Sequence, residues 1–518
     1  MKILSNSQIR MLEAAAVTDG ETTVEAMTEA AGTAVADEVA ARWSTATPII
    51  VFAGWGGNGA DALSAARQLF ANGYSVCVYL FAVKRLSPMC RTMRTKLDQA
   101  AKADAEDHGE LTVHEVGGRE TFRWPDINGN EVIVDGLFGS GLTGELPRSF
   151  QMIVKAINDS GVPVVAIDMP TGLHAEEAAH ATVDNIVHAT VTLAQTAPRL
   201  TFMLRDYADA VGEWKVISTG VPAQAIAQSP YTYYLVGERT AAHFIERRKP
   251  FTSKADYGNL LIYAGSNGMY GAAVIAATSA LRAGAGKVTV HSGAAGMPVL
   301  QTAQPSAMFS ADKGAGHITT MAAGTQGKYT CVAVGPGIGT HNDTINALEQ
   351  LLKSCNAAGR PLVLDADALN CIAQRPLLLE YLPVLSVVTP HPGEFDRIFG
   401  EQTSDQERLM RAIDAAAYHK IIIVLKGHYT AIVRPDGKVF FNGSGNAAMA
   451  TPGSGDALTG VIGALMAQGY KPEKASFLAC YIHGVAGDIA ESVHGDYGVT
   501  AMDIANCTGR AIKHIEES

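Results

Sequence analysis

None of the seven cysteines stands in a C-x-x-C pair; Cys77, Cys90, Cys331, Cys355, Cys371, Cys480 and Cys507 are scattered through 518 residues. That scatter excludes a zinc knuckle or a disulfide framework as the organising element and fits a reducing cytoplasm. There is no apolar run long enough to span a bilayer. The first residues, Met1-Lys-Ile-Leu-Ser-Asn-Ser-Gln8, lack the apolar core of a signal peptide. Basic excess is absent too: 40 Lys and Arg face 51 Asp and Glu, a net charge of −11. This argues against nucleic acid or an anionic membrane as partner. An anionic substrate would then need local basic groups and backbone N–H donors. The ordinary balance of 47% hydrophobic and 18% charged residues, over this length, implies a soluble chain of two or more domains, each with its own core.

What the sequence does have is glycine at the ends of apolar strands. Met449-Ala-Thr-Pro-Gly-Ser-Gly-Asp-Ala-Leu-Thr-Gly460 is a glycine turn running into a helix, with Leu458, Val461, Ile462, Leu465 and Met466 on one apolar face. The first N–H groups of such a helix form an anion site, most simply for phosphate. Asp456 stands at the same spot. A carboxylate repels phosphate, so it suits a base that takes a proton from a hydroxyl attacking the phosphate; the competing reading is a plain helix N-cap.

In the first half, helices are expected over Ser7 to Val17 and Thr23 to Ala41, then a buried strand, Pro48 to Ala53. The strand enters the loop Gly54-Trp-Gly-Gly-Asn-Gly-Ala-Asp61, which carries Asn58 and Asp61 and in which Gly54, Gly56 and Gly59 match G-x-G-x-x-G. The acid that a dinucleotide cleft needs about 20 residues on is missing: the next strand ends in Lys84-Arg85. Two further strands end alike, Glu131 to Asp135 before Gly136–Glu145, and Val162 to Asp168 before Met169-Pro-Thr-Gly172. Ligands of an open parallel sheet bind beyond the carboxyl ends of its strands. Asn58, Asp135 and Thr171 would offer hard oxygens there, suited to an alkali or alkaline-earth cation. Asp168 or Asp61 could transfer protons, or the aspartates could simply cap their turns.

A composition shift at the Ala/Gln-rich stretch Ala223 to Pro230 marks the expected boundary, giving domains 1–227 and 228–518. The basic loop Glu246 to Lys254 beyond it is either a solvated face or the rim of an anion site. The second half repeats strand, glycine turn and helix: Leu260–Ala264, Lys287–His291, Cys331–Gly339, Pro361–Asp367, Val387–Glu394 and Ile421–Thr430. A hairpin of Ala431–Val433 and Lys438–Phe441 turns at Pro435-Asp-Gly437. The whole is an α/β chain with layered parallel sheets. His391 between two prolines is structural or binding, and Lys426 is a snorkelling lysine or a phosphate contact.

These motifs, in this order, resemble the bifunctional NAD(P)H-hydrate repair enzymes over nearly the whole chain. In the second half the resemblance rests on Lys254-Ala-Asp-Tyr-Gly258, Ala264-Gly-Ser266, Gly271-Ala-Ala273, Gly335-Pro-Gly337, Asp365-Ala-Asp367, Thr389-Pro-His-Pro-Gly-Glu394 and Gly453-Ser-Gly-Asp456. It implies a ribokinase-like domain that dehydrates the S form of hydrated NADH or NADPH, using ADP or ATP with Mg²⁺. Asp456 would be the catalytic carboxylate. Ala272, Gly337 and His391 would contact the hydrate with it, and Lys426, Gly427, His428, Tyr429, Thr430 and Gly455 would hold the nucleotide.

The first half resembles the epimerase partner, a Rossmann-like three-layer α/β/α domain that interconverts R and S hydrates. By that resemblance Asn58, Asp135 and Thr171 bind K⁺. Gly57, Asn58, Gly59, Ala60 and Asp61, with Gly139, Ser140, Gly141, Leu142, Thr143, Gly144 and Glu145, line the substrate. Asp168 lines it too and is the proton-transfer group. The sequence departs from the family pattern at Gly57 (usually Asn), Ala60 and Ala62 (usually Gly), Ala30 (usually Asn), Thr171 (usually Ser) and Pro452 (usually Gly). The resemblance implies small-molecule partners, a cytoplasmic location and, from the commonness of symmetric assembly, a homo-oligomer. The alternative is an ATP-dependent vitamin or sugar-alcohol kinase with a noncatalytic N-terminal binding domain.

Overall fold

Alternation along the strand Ile49–Ala53 sends Ile49, Val51 and Ala53 to one side and Ile50 and Phe52 to the other, and all five are buried. A strand buried on both faces needs cover on both faces, and it has it. The computed structural model describes residues 1–102, 109–117, 122–175, 183–322 and 328–518. Within it the chain divides into two compact units between Tyr231 and Thr232, Met1 grouping with the second.

The first unit has seven parallel strands: β1 (Ile49–Ala53), β2 (Val76–Phe81), β3 (Leu111–Val116), β4 (Val132–Gly136), β5 (Val164–Ile167), β6 (Val191–Gln195) and β7 (Glu213–Ile217). Their order across the sheet is β3-β2-β1-β4-β5-β6-β7. Helices Val24–Arg42, Gly57–Ala71 and Pro88–Lys102 bury one face. Helix Arg148–Asp159 buries the other through Phe150, Ile153, Val154 and Ile157. The strand order reverses between β1 and β4, and such a switch point opens a crevice beyond the strand ends. The expected helices are present, each with a side-chain cap: Ser5, reciprocated by Gln8, and Thr23. One expectation is corrected. Asn58 and Asp61 do not lie in a loop, because the third helix already starts at Gly57. With Gly59 a Cβ would come within 1.8 Å of the Gly54 carbonyl oxygen, so its lack of a side chain lets that helix begin directly against the strand end.

The second unit holds β8 (Tyr233–Val236), β9 (Asn259–Tyr263), β10 (Lys287–Ser292), β11 (Met308–Ala311), β12 (Cys331–Val334), β13 (Val363–Leu364), β14 (Val387–Val388), β15 (Ile422–Leu425), β16 (Ala431–Val433) and β17 (Val439–Asn442). They lie in the order β8-β17-β16-β15-β14-β13-β12-β9-β10-β11. Only β16 runs antiparallel to its neighbours, forming the expected hairpin with β17. The switch point falls between β9 and β12. There the Gly265 N–H donates to the Pro336 carbonyl at 2.8 Å, joining the two glycine turns. Helix Ser454–Ala467 is not amphipathic as its spacing suggested. Ala457, Thr459, Gly460, Gly463 and Ala464 are buried along with the apolar face, because the helix is wedged between helices Tyr270–Arg282 and Pro472–His494. Among the described residues no helix is long and apolar enough to cross a membrane.

Candidate active sites

Gly453 sits at φ +90° and caps helix Ser454–Ala467 without any side-chain bond. Asp456 is therefore not the N-cap; it is the third residue of the first turn. Its carboxylate accepts no hydrogen bond from any described residue and is half-buried. Burial, and next the neighbouring Asp365 carboxylate, push it up to about 7, against the pull of Lys426. Left-handed backbone is costly for any residue with a Cβ, and a Cβ on Gly453 would also lie 2.8 Å from the Ile275 side chain. The turn that sets Asp456 is thus tied to glycine.

Lys426, at the end of β15, is not snorkelling. Its Nζ lies 2.9 Å from Asp365 Oδ1 and 3.8 Å from Glu394 Oε2. Burial would lower it, but those carboxylates outweigh burial and hold it above its usual range. The second Asp365 oxygen accepts from Thr459 Oγ1 at 2.6 Å. Ala366 between Asp365 and Asp367 has φ +47°, a local strain of the kind found at functional sites. Asp367 accepts from the Gly339 N–H at 2.8 Å.

A cavity of about 630 Å³ opens here, walled by Lys426, Gly427, His428, Thr430, Gly455 and His391 and floored by Leu458, Cys480 and His483. Burial lowers His483 to about 4, and its Nε2 lies 3.3 Å from Ser454 Oγ. Of the expected nucleotide residues only Tyr429 is not on the wall; its ring packs edge-on to His428. His391 is structural and lining at once. Its Nδ1 accepts the Gly393 and Glu394 N–H groups as a helix cap, while half of its side chain stays exposed to the cavity. Ala272 and Gly337 do not line this cavity. They meet each other at the switch point, where a Cβ on Gly337 would lie 3.3 Å from that of Ala272. The basic loop is not a rim here: Arg247 donates to the Glu516 carbonyl, and Arg248 covers the Tyr257 ring and donates to Gly284.

In the first unit a cavity of about 590 Å³ lies at the switch point. Gly57, Asn58, Asp61, Gly139, Ser140, Gly141, Leu142, Thr143, Glu145 and Asp168 line it, as expected from the sequence. Gly59, Ala60 and Gly144 do not: Gly59 abuts Gly54, Ala60 is fully buried, and Gly144 turns the loop at φ +76°. Asp168, at φ +63°, accepts the Ser140 N–H at 2.9 Å. Its other oxygen is 2.9 Å from the guanidinium of Arg199, which is 1% exposed and also donates to the Ala197 carbonyl. Asp61 accepts from Gln195 Nε2 at 2.8 Å, and burial, aided by Asp168 and Glu13, raises it to about 8. Asp61 is therefore protonated at neutral pH while Asp168 is ion-paired, so the wall holds a proton donor beside an acceptor. Trp55 and Phe138 give it a flat apolar side, and Arg10 and Lys84 give it positive charge.

Behind that wall, Asp135 is fully buried. It accepts from the Thr171 N–H (2.8 Å), Thr171 Oγ1 (2.7 Å) and the Leu137 N–H (3.2 Å). No cationic side chain of the described residues pairs with it, and burial raises it to about 6. With its amide set by hydrogen bonding, Asn58 donates to the Ile167 carbonyl and accepts from the Gly139 N–H.

Sequence reading missed Gln195, Arg10 and Lys84 on the first cavity's wall and His483 on the second's, and the buried Arg199 and Thr459 that hold Asp168 and Asp365 from behind. Asp365 and Glu394 stood within quoted motifs but had no role; their place at strand and helix ends was the available signal.

Two such units in succession define a class: two α/β domains built on largely parallel sheets, each with carboxylates gathered beyond the ends of its strands. Residues 24–201 match the model of the YjeF-related protein N-terminus, and residues 260–510 that of NAD(P)H-hydrate dehydratase. The bifunctional NAD(P)H-hydrate repair enzyme of Moorella thermoacetica is 33% identical over 90% of this chain and 88% of its own. That of Thermofilum pendens is 31% identical over 100% and 97%. The chain belongs to the family of bifunctional NAD(P)H-hydrate repair enzymes. A solved ADP/ATP-dependent NAD(P)H-hydrate dehydratase from Bacillus subtilis, co-crystallised with ATP/Mg²⁺, is 29% identical, with a TM-score of 0.48 over 55% of this chain and 99% of that one.

Proposed function

We propose that the second unit dehydrates the S form of hydrated NADH or NADPH at the expense of ADP or ATP, and that the first unit interconverts the R and S hydrates. One observation carries the reading: Gly455 lines a nucleotide-sized cavity, and the next residue, Asp456, has a half-buried carboxylate that bonds to no described residue and is pushed up to about 7. Asp456 takes the proton of the ring hydroxyl. The oxygen attacks the terminal phosphorus and the phosphoanhydride bond breaks. The new C–O–P ester then loses phosphate, pushed by the lone pair of the ring nitrogen. Loss of a ring proton restores the dihydronicotinamide. Lys426 and the first N–H groups of the helix stabilise charge on the transferring group. Mg²⁺ would enter with the nucleotide, the Glu394 carboxylate beside Lys426 offering it an oxygen, and would neutralise the phosphates.

The catalytic proton must leave to an ionised Asp456. The kcat/KM for dehydration is therefore expected to rise with pH, with an acid limb near pH 7, and to level above it. A profile flat from pH 5 to 9 would remove Asp456 as base. The function itself is tested by supplying S-hydrate, nucleotide and Mg²⁺ and following products by mass spectrometry. Restored NADH with stoichiometric free phosphate supports the reading; an accumulating phosphorylated compound would instead make the unit a small-molecule kinase.

In the first unit, Asn58, Asp135 and Thr171 would hold K⁺. No cationic side chain of the described residues pairs with the buried Asp135 carboxylate, and it and Thr171 Oγ1 offer hard oxygens, which fits an alkali cation. K⁺ would supply the positive charge, and Thr171, bonded to both Asp135 and Phe138, would connect it to the cavity wall. Thermal stability of the first unit is expected to be higher in K⁺ than in a bulky organic cation, and Thr171→Val should erase the difference. Equal midpoints for the unaltered protein in both salts would refute the K⁺ assignment.

A further inference from the structure

We propose that His317, His341 and Asp343 form a binding site for a divalent transition-metal ion, apart from the cavities described above. Their ligand atoms lie within 4.8 Å of one another. Asp343 Oδ2 is 3.6 Å from His317 Nε2 and 3.4 Å from His341 Nδ1. A tetrahedral ion with bonds of about 2.0–2.1 Å holds its ligands roughly 3.3–3.4 Å apart, so the two measured edges already have nearly the required length. Two imidazoles and one carboxylate select zinc, cobalt or nickel over calcium or magnesium.

An independent observation points the same way. His317 Nε2 is shielded from solvent and has no hydrogen-bond partner. A buried imidazole nitrogen without a partner is costly, and this one faces the carboxylate. The two rings lie 4.3 Å apart between centroids, a pairing that two imidazolium charges would oppose.

The ligands are also held in place from behind. Asp312 accepts from the N–H groups of Gly314, Thr319 and Thr320 and so pins the loop carrying His317. Thr344 Oγ1 donates to the Ile318 carbonyl, tying that loop to helix Asn342–Ala357, whose N-cap is His341. The helix N-terminus favours the Asp343 charge. Binding requires His341 Nδ1 to leave its 3.2 Å bond with the Asp343 N–H, so the ion competes with a modest cap. An open fourth position would take water. Occupied, the site cross-links the loop to the helix that follows the Gly337 turn.

The 518-residue chain, free of any affinity tag and stripped with chelator, is titrated with Co²⁺ in the absence of nucleotide. Calorimetry and visible absorption read the outcome. One tight Co²⁺ per chain with a tetrahedral nitrogen–oxygen spectrum is expected. His341→Asn keeps a good N-cap but removes the ligand. Together with His317→Ala it should weaken binding by more than the roughly 10–100-fold typical of losing an outer-shell partner. Each variant's circular dichroism and its Asp456-dependent activity report whether it is folded. No tight Co²⁺ on the unaltered protein, or equal binding in the folded double variant, would overturn the proposal.

Discussion

Asp456→Ala is expected to lower dehydration by roughly 10² to 10⁴-fold, the usual worth of a positioned acid–base group, with nucleotide affinity and folding nearly unchanged. The geometry supports both halves of that statement. Gly453, not Asp456, caps the helix, and the carboxylate bonds to no described residue, so truncation removes no structural contact. Removing a half-buried carboxylate raised to about 7 also relieves repulsion with Asp365. The sign is definite. A carboxylate whose pKa is raised by folding costs stability once pH exceeds its unfolded value, and the cost is complete above about 7. The alanine variant should therefore melt no lower than the parent at pH 8 while being nearly inactive. Lys426 and Asp365 stay paired in the variant, so nucleotide binding, followed by calorimetry, should change little. A variant that keeps more than a tenth of the parental rate would place the base elsewhere.

Arg199→Met should destabilise the first unit by about 3–5 kcal/mol, the usual result of removing one partner of a buried ion pair. Arg199 and Asp168 have side chains only 1% and 9% exposed, so solvent screens the pair little. Methionine leaves Asp168 charged, buried and held only by the Ser140 N–H. The double variant Arg199→Met with Asp168→Asn should regain part of the loss, because the orphaned charge is gone. Both variants should lose epimerisation, and the second unit's dehydratase rate on S-hydrate should be unaffected. Chemical denaturation followed by a first-unit probe such as Trp55 checks the stability. A change under 1 kcal/mol would show that the pair is not buried in solution.

The contrast between these two residues shows what a linear sequence can and cannot disclose. Asp456 was legible because its setting is local: glycine at φ +90°, a helix beginning one residue later, an acid in the first turn. The same holds for Asn58, Gly139 and Asp168, each within a few residues of a strand end, and the fold brings them to one wall. Arg199 was invisible because nothing near it in the chain marks it; 31 residues separate it from the aspartate it neutralises. Thr459 sits on a helix whose spacing suggested a simple apolar face, yet it reaches Asp365 across 94 residues. His391 could not be decided between a structural and a binding role from the sequence, and its geometry serves as a helix cap and a cavity wall together. Strand and helix order followed from periodicity. The start of the helix at Gly57 did not, since only the close approach to Gly54 explains it.

The family's departures at Gly57, Ala60 and Ala62 fall unevenly on that geometry. Gly57 lines the first cavity and opens its wall by a missing side chain. Ala60 and Ala62 are fully buried and do not line the cavity, so their extra methyls are absorbed in packing.

One assay tests the dehydratase and epimerase assignments most directly: the 518-residue chain is given purified R-hydrate and S-hydrate of NADH in separate reactions, each with Mg²⁺ and either ADP or ATP, and recovery of the reduced-nicotinamide absorbance is followed. The expected result is rapid recovery from S-hydrate that depends on the nucleotide and is lost in Asp456→Ala. Recovery from R-hydrate should need the same nucleotide and should vanish in Asp168→Asn while that variant still uses S-hydrate. Failure of folded protein to restore NADH from S-hydrate with either nucleotide would contradict the central claim.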